Sequence, residues 1–299
     1  MGVIHQSLDF RRAGATHAVL LLHGLMGNPL EMQYLARQLY RAGFTVCVPY
    51  LEGYGTASRD AGARWTDWLG QVESHFDALK AQYEHVSIGG LCIGATLALA
   101  LAAKRGAEIA SLSLLATTLA FDGWSIPWYR FLAPLGYYTP LRHFYSYRER
   151  HPFGLKNEAL RAWVAREMAD TNSSVAGASH LPMASIYQAH RLIRHVRRVL
   201  PQVRTPALVV HAREDDVASL ASADAVMRSI GSQQARLVVL EDSYHIITLD
   251  NEKKAVADHT AAFFNEHWGA TREHTGQNPG IDRGRAGFAD RAIAADAAA

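Results

Sequence analysis

The stretch His85-Val86-Ser87-Ile88-Gly89-Gly90-Leu91-Cys92-Ile93-Gly94-Ala95-Thr96 decides the reading of this chain. It opens as an apolar run of strand length and closes into Leu97-Ala98-Leu99-Ala100-Leu101-Ala102-Ala103, which is helix-forming and apolar all round. At its centre stands G-x-C-x-G. A strand that turns at once into a helix brings its own backbone close together, leaving no room for side chains two residues before and two after the apex. Gly90 and Gly94 fill those places and put Cys92 at the tip of a nucleophile elbow. The N-terminus of the following helix favours negative charge there, as a thiolate nucleophile requires. The pentapeptide alone also fits a small buried cysteine at a tight crossing, so the rest of the chain must weigh on the choice.

On both sides of the elbow, strand-length apolar runs alternate with amphipathic helical stretches. His17–Leu22 is followed by a helix over 30–42, a strand over 44–49 and a helix over 64–83. Ile109–Leu115 follows the elbow helix. The alternation resumes with Ala207–His211, a helix over 218–231, Ala235–Leu240 and a last helix over 251–267. Strands apolar on both faces and separated by helices predict an α/β protein with a mostly parallel, doubly wound sheet. Residues 1–119 and 201–268 form this core. Residues 120–200 are too many for a loop and carry helical patterns at 157–169 and 184–200, so they read as an inserted helical cap. Residues 269–299, rich in Gly, Ala, Asp and Arg with no sustained apolar face, read as a disordered tail.

Composition narrows the class further. The 299 residues are 49% hydrophobic with a formal net charge of +2, enough for one large core and a smaller appended unit. No window approaches the roughly 18–20 uninterrupted apolar residues of a membrane-spanning helix. The opening Met1-Gly2-Val3-Ile4-His5-Gln6 lacks the basic and apolar regions of a secretory leader. Two cysteines build no disulfide framework, and Cys47, in the apolar run Phe44–Pro49, reads as a buried structural residue. A cytoplasmic location is therefore expected. No nucleic-acid motif, phosphate loop or metal-ligand spacing is present, so neither a cofactor nor a nucleic-acid partner is expected.

A nucleophilic thiol needs a base, and the base needs an orienting carboxylate; in this architecture they follow in the order nucleophile, acid, base. Asp215 lies beyond the strand at 207–211, and His245 beyond the strand at 235–240. Both sit past the carboxyl ends of strands, the edge where parallel sheets bind ligands. Asp216 adjoins Asp215 and is an alternative acid, with Asp215 favoured. The turn His23-Gly24-Leu25-Met26-Gly27 follows the strand at 17–22. Its backbone N–H at Leu25, with that of Ile93 after the nucleophile, is the candidate pair of oxyanion donors.

These segments resemble the α/β-hydrolase superfamily, and within it the small bacterial carboxylesterases and monoacylglycerol lipases. The resemblance runs over about residues 17–119 and 203–268, through His23-Gly24-Leu25-Met26-Gly27-Asn28, the elbow, Ala212-Arg213-Glu214-Asp215-Asp216 and Ser243-Tyr244-His245-Ile246-Ile247-Thr248-Leu249-Asp250. It implies Cys92 as nucleophile, Asp215 as acid and His245 as base. Those esterases carry serine at the elbow; cysteine in G-x-C-x-G is similar instead to dienelactone hydrolases and polyhydroxyalkanoate synthases. A sulfur nucleophile forms a thioester, from which the acyl group passes to water or to an amine, alcohol or thiol.

Ten aromatic residues crowd into Phe121–Tyr147, and the insert carries Arg130, Arg142, Arg148, Arg150, Arg191, Arg194, Arg197 and Arg198. The aromatics suit an acyl pocket, but equally the insert's own core or a surface meeting membrane or partner. The arginines suit the phosphates of coenzyme A or an acidic carrier protein, although a solvated helix face explains them as well. The leading expectation is hydrolysis of a small-molecule ester or thioester with a hydrophobic acyl part. An acyltransferase drawing on a coenzyme A or carrier-protein thioester is the first alternative, and a dormant binding protein of this fold is the second.

Overall fold

In the computed structural model, residues 6–56 and 63–274 are described. Strand β1 (Leu8–Phe10) precedes β2 (His17–Leu22). A 3-10 turn over Pro29–Met32, capped by the Asn28 side chain accepting the Leu30 N–H, leads into α1 (Gln33–Arg41). Then come β3 (Thr45–Val48), α2 (Trp65–Lys80), β4 (His85–Leu91), α3 (Ile93–Arg105) and β5 (Leu112–Leu115). The segment that follows carries α4 (Ala133–Tyr138), β6 (Ser146–Arg148), α5 (Glu158–Thr171), β7 (Ser173–Ser174), β8 (Gly177–Ala178), β9 (His180–Pro182) and α6 (Met183–Val199). The alternation returns with β10 (Ala207–Ala212), α7 (Ala221–Ser229), β11 (Ala235–Leu240) and α8 (Lys253–His274).

The main sheet runs β1-β3-β2-β4-β5-β10-β11. Every neighbouring pair is parallel except β1 with β3. The sheet is mostly parallel, as the alternating pattern predicts, and its layout is the α/β-hydrolase fold that the family resemblance implies. Along β2 successive side chains enter opposite layers: Ala18, Leu20 and Leu22 pack with Trp68, Val72 and Phe76 of α2 and with α3, while Val19 and Leu21 pack with Leu35 and Leu39 of α1 and Phe264 of α8. A strand buried on both faces has no polar positions to spare, which is why it reads as a continuous apolar run. Each fully buried Leu contributes roughly 1.5–3 kcal/mol through removal of apolar surface from water.

Three features lay outside the sequence pattern. β1 is a three-residue antiparallel edge strand, and β6 to β9 are short antiparallel pairs within the segment 120–200. α6, although inside that segment, buries Ala189, Leu192, Ile193 and Val196 in the same core as α3. α8 runs to His274, so residues 269–274, expected in the tail, are helical; residues 275–299 lie outside the described residues. Among the described residues no helix is long and apolar enough to cross a membrane.

The parallel strands all end at one edge of the sheet. The turn after β2, the elbow after β4, and the loops after β10 and β11 meet there, and they carry His23–Gly27, Cys92, Asp215 and His245.

Candidate active site

Cys92 caps the N-terminus of α3 with φ 58° and ψ −119°. A non-glycine residue in this region is strained and persists only where its surroundings over-determine it. Here its N–H donates to the Leu115 carbonyl at 2.9 Å, tying the apex to β5. A Cβ on Gly90 would lie 2.4 Å from the Gly94 carbonyl carbon, and one on Gly94 would lie 2.5 Å from the His23 carbonyl oxygen. Neither glycine can therefore be replaced without moving the elbow. The Cys92 side chain is half-buried, and the Thr118 hydroxyl, from the loop after β5, donates to Sγ at 3.3 Å. Cys47 is the other free cysteine; burial first, then the nearby Asp9 charge, push its thiol up to about 12, which makes it inert at neutral pH.

His245 and Asp215 meet directly. The imidazole Nδ1–H donates to both carboxylate oxygens, at 2.7 and 2.9 Å. The carboxylate also accepts the N–H groups of Val217 and Ala218 at 2.9 and 2.7 Å, which aims it. Burial opposes ionisation of Asp215, but the His245 charge and hydrogen bond overcome it and hold the carboxyl below the usual range. Burial likewise opposes protonation of His245, yet the Asp215 and Cys92 charges raise its pKa well above the ordinary histidine value. Its Nε2 is buried with no hydrogen-bond partner among the described residues. Asp216 does not face the ring. Its carboxylate accepts the His245 backbone N–H at 3.3 Å and the Gly154 N–H at 3.2 Å, fixing the loop rather than the imidazole.

The turn after β2 is held at nearly every polar group. Gly27 N–H donates to the Gly24 carbonyl, Met26 N–H to the Tyr54 carbonyl, and the Tyr54 hydroxyl to the His23 carbonyl. The His23 ring sits on the Gly24 carbonyl at 2.9 Å, and burial pushes its pKa down to about 4, so it is neutral. Among the described residues the backbone N–H groups of Leu25 and Ile93 have no hydrogen-bond partner. Two further acids reach this region unannounced by any motif. Glu31 is buried beneath the turn and accepts the Gly24 N–H at 2.8 Å. Half-buried Glu149, just after β6, is raised to about 7 by burial and by the Asp216 charge. Neither has a local sequence signature: Glu149 meets the charges of Asp216 and His245, and Glu31 that of His245, from far along the chain.

The sheet, the elbow and the carboxylate–imidazole pair define a protein of the α/β-hydrolase class. The family described as serine aminopeptidase, S33, matches residues 14–252, and the chain belongs to it. The chain is 31% identical, over 84% of its length and 91% of the relative's, to a thermostable monoacylglycerol lipase of Bacillus sp. (strain H-257). It is 25% identical, over 83% of its length and 92% of the relative's, to a carboxylesterase of Bacillus subtilis (strain 168). Among solved structures, the monoacylglycerol lipase of Paleococcus ferrophilus shares the fold with a TM-score of 0.71, covering 87% of this chain and 98% of its own at 16% identity.

Proposed function

We propose that the chain hydrolyses small-molecule carboxylic esters or thioesters with a hydrophobic acyl part, through a covalent thioester on Cys92. The observation that carries this reading is the imidazole of His245, fixed by Asp215 on one nitrogen and electrostatically coupled to the Cys92 sulfur at the strained elbow. In the reaction the Cys92 thiolate, paired with imidazolium, attacks the carbonyl carbon. The oxygen that becomes negative is received by the backbone N–H groups of Leu25 in the turn and Ile93 in the elbow, neither of which has a partner among the described residues. His245 gives its proton to the departing alkoxide or thiolate, then takes one from water as water attacks the thioester. The lipase and carboxylesterase among the relatives support an ester substrate; the sulfur nucleophile extends the range to thioesters.

Intact-protein mass spectrometry after mixing with a panel of acyl esters and thioesters tests this reading. An acyl mass on Cys92 that decays in water is expected, and Cys92→Ala should carry none. Turnover retained by Cys92→Ala would refute the nucleophile. An adduct stable in water but discharged by an added amine, alcohol or thiol would assign acyl transfer, and a chain that takes no acyl group would be a binding protein of this fold. Cys92→Ser is expected to shift preference towards plain esters.

A further inference from the structure

Glu31 is a buried carboxyl beneath the turn that borders the nucleophile. It is 3% exposed, and its only oppositely charged neighbour among the described residues is His245. Three glycines make its cradle. A Cβ on Gly27 would fall onto its Oε1, one on Gly24 would lie 3.2 Å from Oε2, and one on Gly177 would lie 3.5 Å from Oε1. The same Cβ on Gly24 would lie 3.7 Å from the Cys92 Cβ, so the carboxyl and the Cys92 side chain both border the space beside Gly24. Oε2 accepts the Gly24 N–H at 2.8 Å, one residue before the Leu25 N–H.

This proximity has a chemical consequence that rests on the acyl-enzyme reading above. A carboxylate here repels both the Cys92 thiolate and the oxyanion that follows, and its burial leaves that repulsion poorly screened. A neutral carboxyl keeps the bond to Gly24 and removes the repulsion. We propose that Glu31 is a positioning residue of the oxyanion turn that must carry a proton, taken from solvent, for Cys92 to be acylated at full rate. No bond to substrate forms at Glu31; the carboxyl holds Gly24 and sets the local charge. The groups facing it are compatible with this role. Burial keeps Tyr54 neutral, with the Cys92 and Glu31 charges acting in the same direction, and His23 in the same turn is neutral. Burial raises Glu31 itself to about 7, against the lowering effects of the Gly24 and Asn28 N–H groups and of His245. Against its burial, the Asp215 and Cys92 charges hold the His245 proton above the ordinary histidine range.

The test is the pH dependence of Cys92 acylation by a 4-nitrophenyl ester of a short fatty acid, followed in a single turnover with the adduct weighed by mass spectrometry. For the wild-type chain the acylation rate should fall about tenfold between pH of about 6 and about 8. Glu31→Gln keeps an acceptor for Gly24 and cannot ionise; its rate should stay level across that range and fall only where His245 loses its proton. A Glu31→Gln profile of the same shape as the wild type, at whatever absolute rate, overturns the proposal, because a purely structural role changes the rate without moving the profile. If Glu31→Gln does not fold, the wild-type profile decides by itself: a level rate across the range overturns the role. Failure of the acyl-enzyme reading looks different, since then Cys92 carries no adduct at any pH.

Discussion

Gly90 and Gly94 act by what they lack, since the backbone of Gly94 and of the turn after β2 occupies the space a side chain would need. Gly94→Ala should destabilise the chain by about 1–3 kcal/mol or more through forced backbone movement, read as a lower urea midpoint. Asp215 and Asp216, indistinguishable as neighbours in sequence, separate in the structure by which part of His245 they hold. Asp215→Asn should slow acylation by roughly 10³–10⁴-fold, because an amide neither selects the required tautomer nor stabilises imidazolium. Asp216→Asn should cost about tenfold at most, the worth of one backbone hydrogen bond, and comparable losses in both variants would discard this division of labour. The positions of Cys92 and His245 were legible because each follows a strand in a recognisable local pattern. Thr118 and Glu149 were not, because their contacts are made across the sheet edge, and neither was Glu31, whose local bond to Gly24 matters through its burial and the nearby His245 charge.

At the scale of elements, α6 joins the segment 120–200 to the core. Leu192 is fully buried on it, so Leu192→Ala should cost about 2–5 kcal/mol, as much as a substitution in α3. The stretch just after β5 behaves oppositely. Trp128 is 82% exposed and Phe144 85% exposed, so replacing both by Ser should change thermal stability by little, within roughly 0.5 kcal/mol each; a large loss would show that these rings are packed. The aromatic concentration read from sequence is therefore in large part surface. Aromatic content shows how much apolar area a segment has, but not what covers it. The helices at 158–171 and 183–199 were readable from periodicity, whereas β1 and β6 to β9 were not, since strands of two or three residues exist only by virtue of the partner they pair with.

Across the whole molecule, buried Glu31 and Asp216 and half-buried Glu149 each make a contribution to stability that depends on pH. Glu31 and Glu149 are raised to about 7 and Asp216 to about 6, in each case first by burial. Each holds its proton in the folded state at pH values where the unfolded chain has lost it, so the stability they contribute declines as pH rises from their ordinary values towards the raised ones. Asp215, held low chiefly by His245 against its burial, acts in the opposite sense and loses its contribution only as pH falls below the ordinary carboxylate range. The buried histidines His17 and His23, pushed down by burial to about 3 and about 4, act against these acids over the same range, so the Glu31 contribution is read as a difference. The excess urea midpoint of the wild type over Glu31→Gln should shrink as pH rises from about 4.5 to about 7, and a difference that does not change with pH would remove Glu31 from the account. The linear order of apolar runs determined the α/β fold and the strand edge at which Cys92, Asp215 and His245 follow one another, because periodicity and turn chemistry act over a few residues. Only the tertiary structure decided which aspartate meets the imidazole, which backbone donors stay unpaired among the described residues and which carboxyl lies buried beneath the turn after β2. Those properties depend on distances between residues far apart in the chain, and the packing of the sheet sets them.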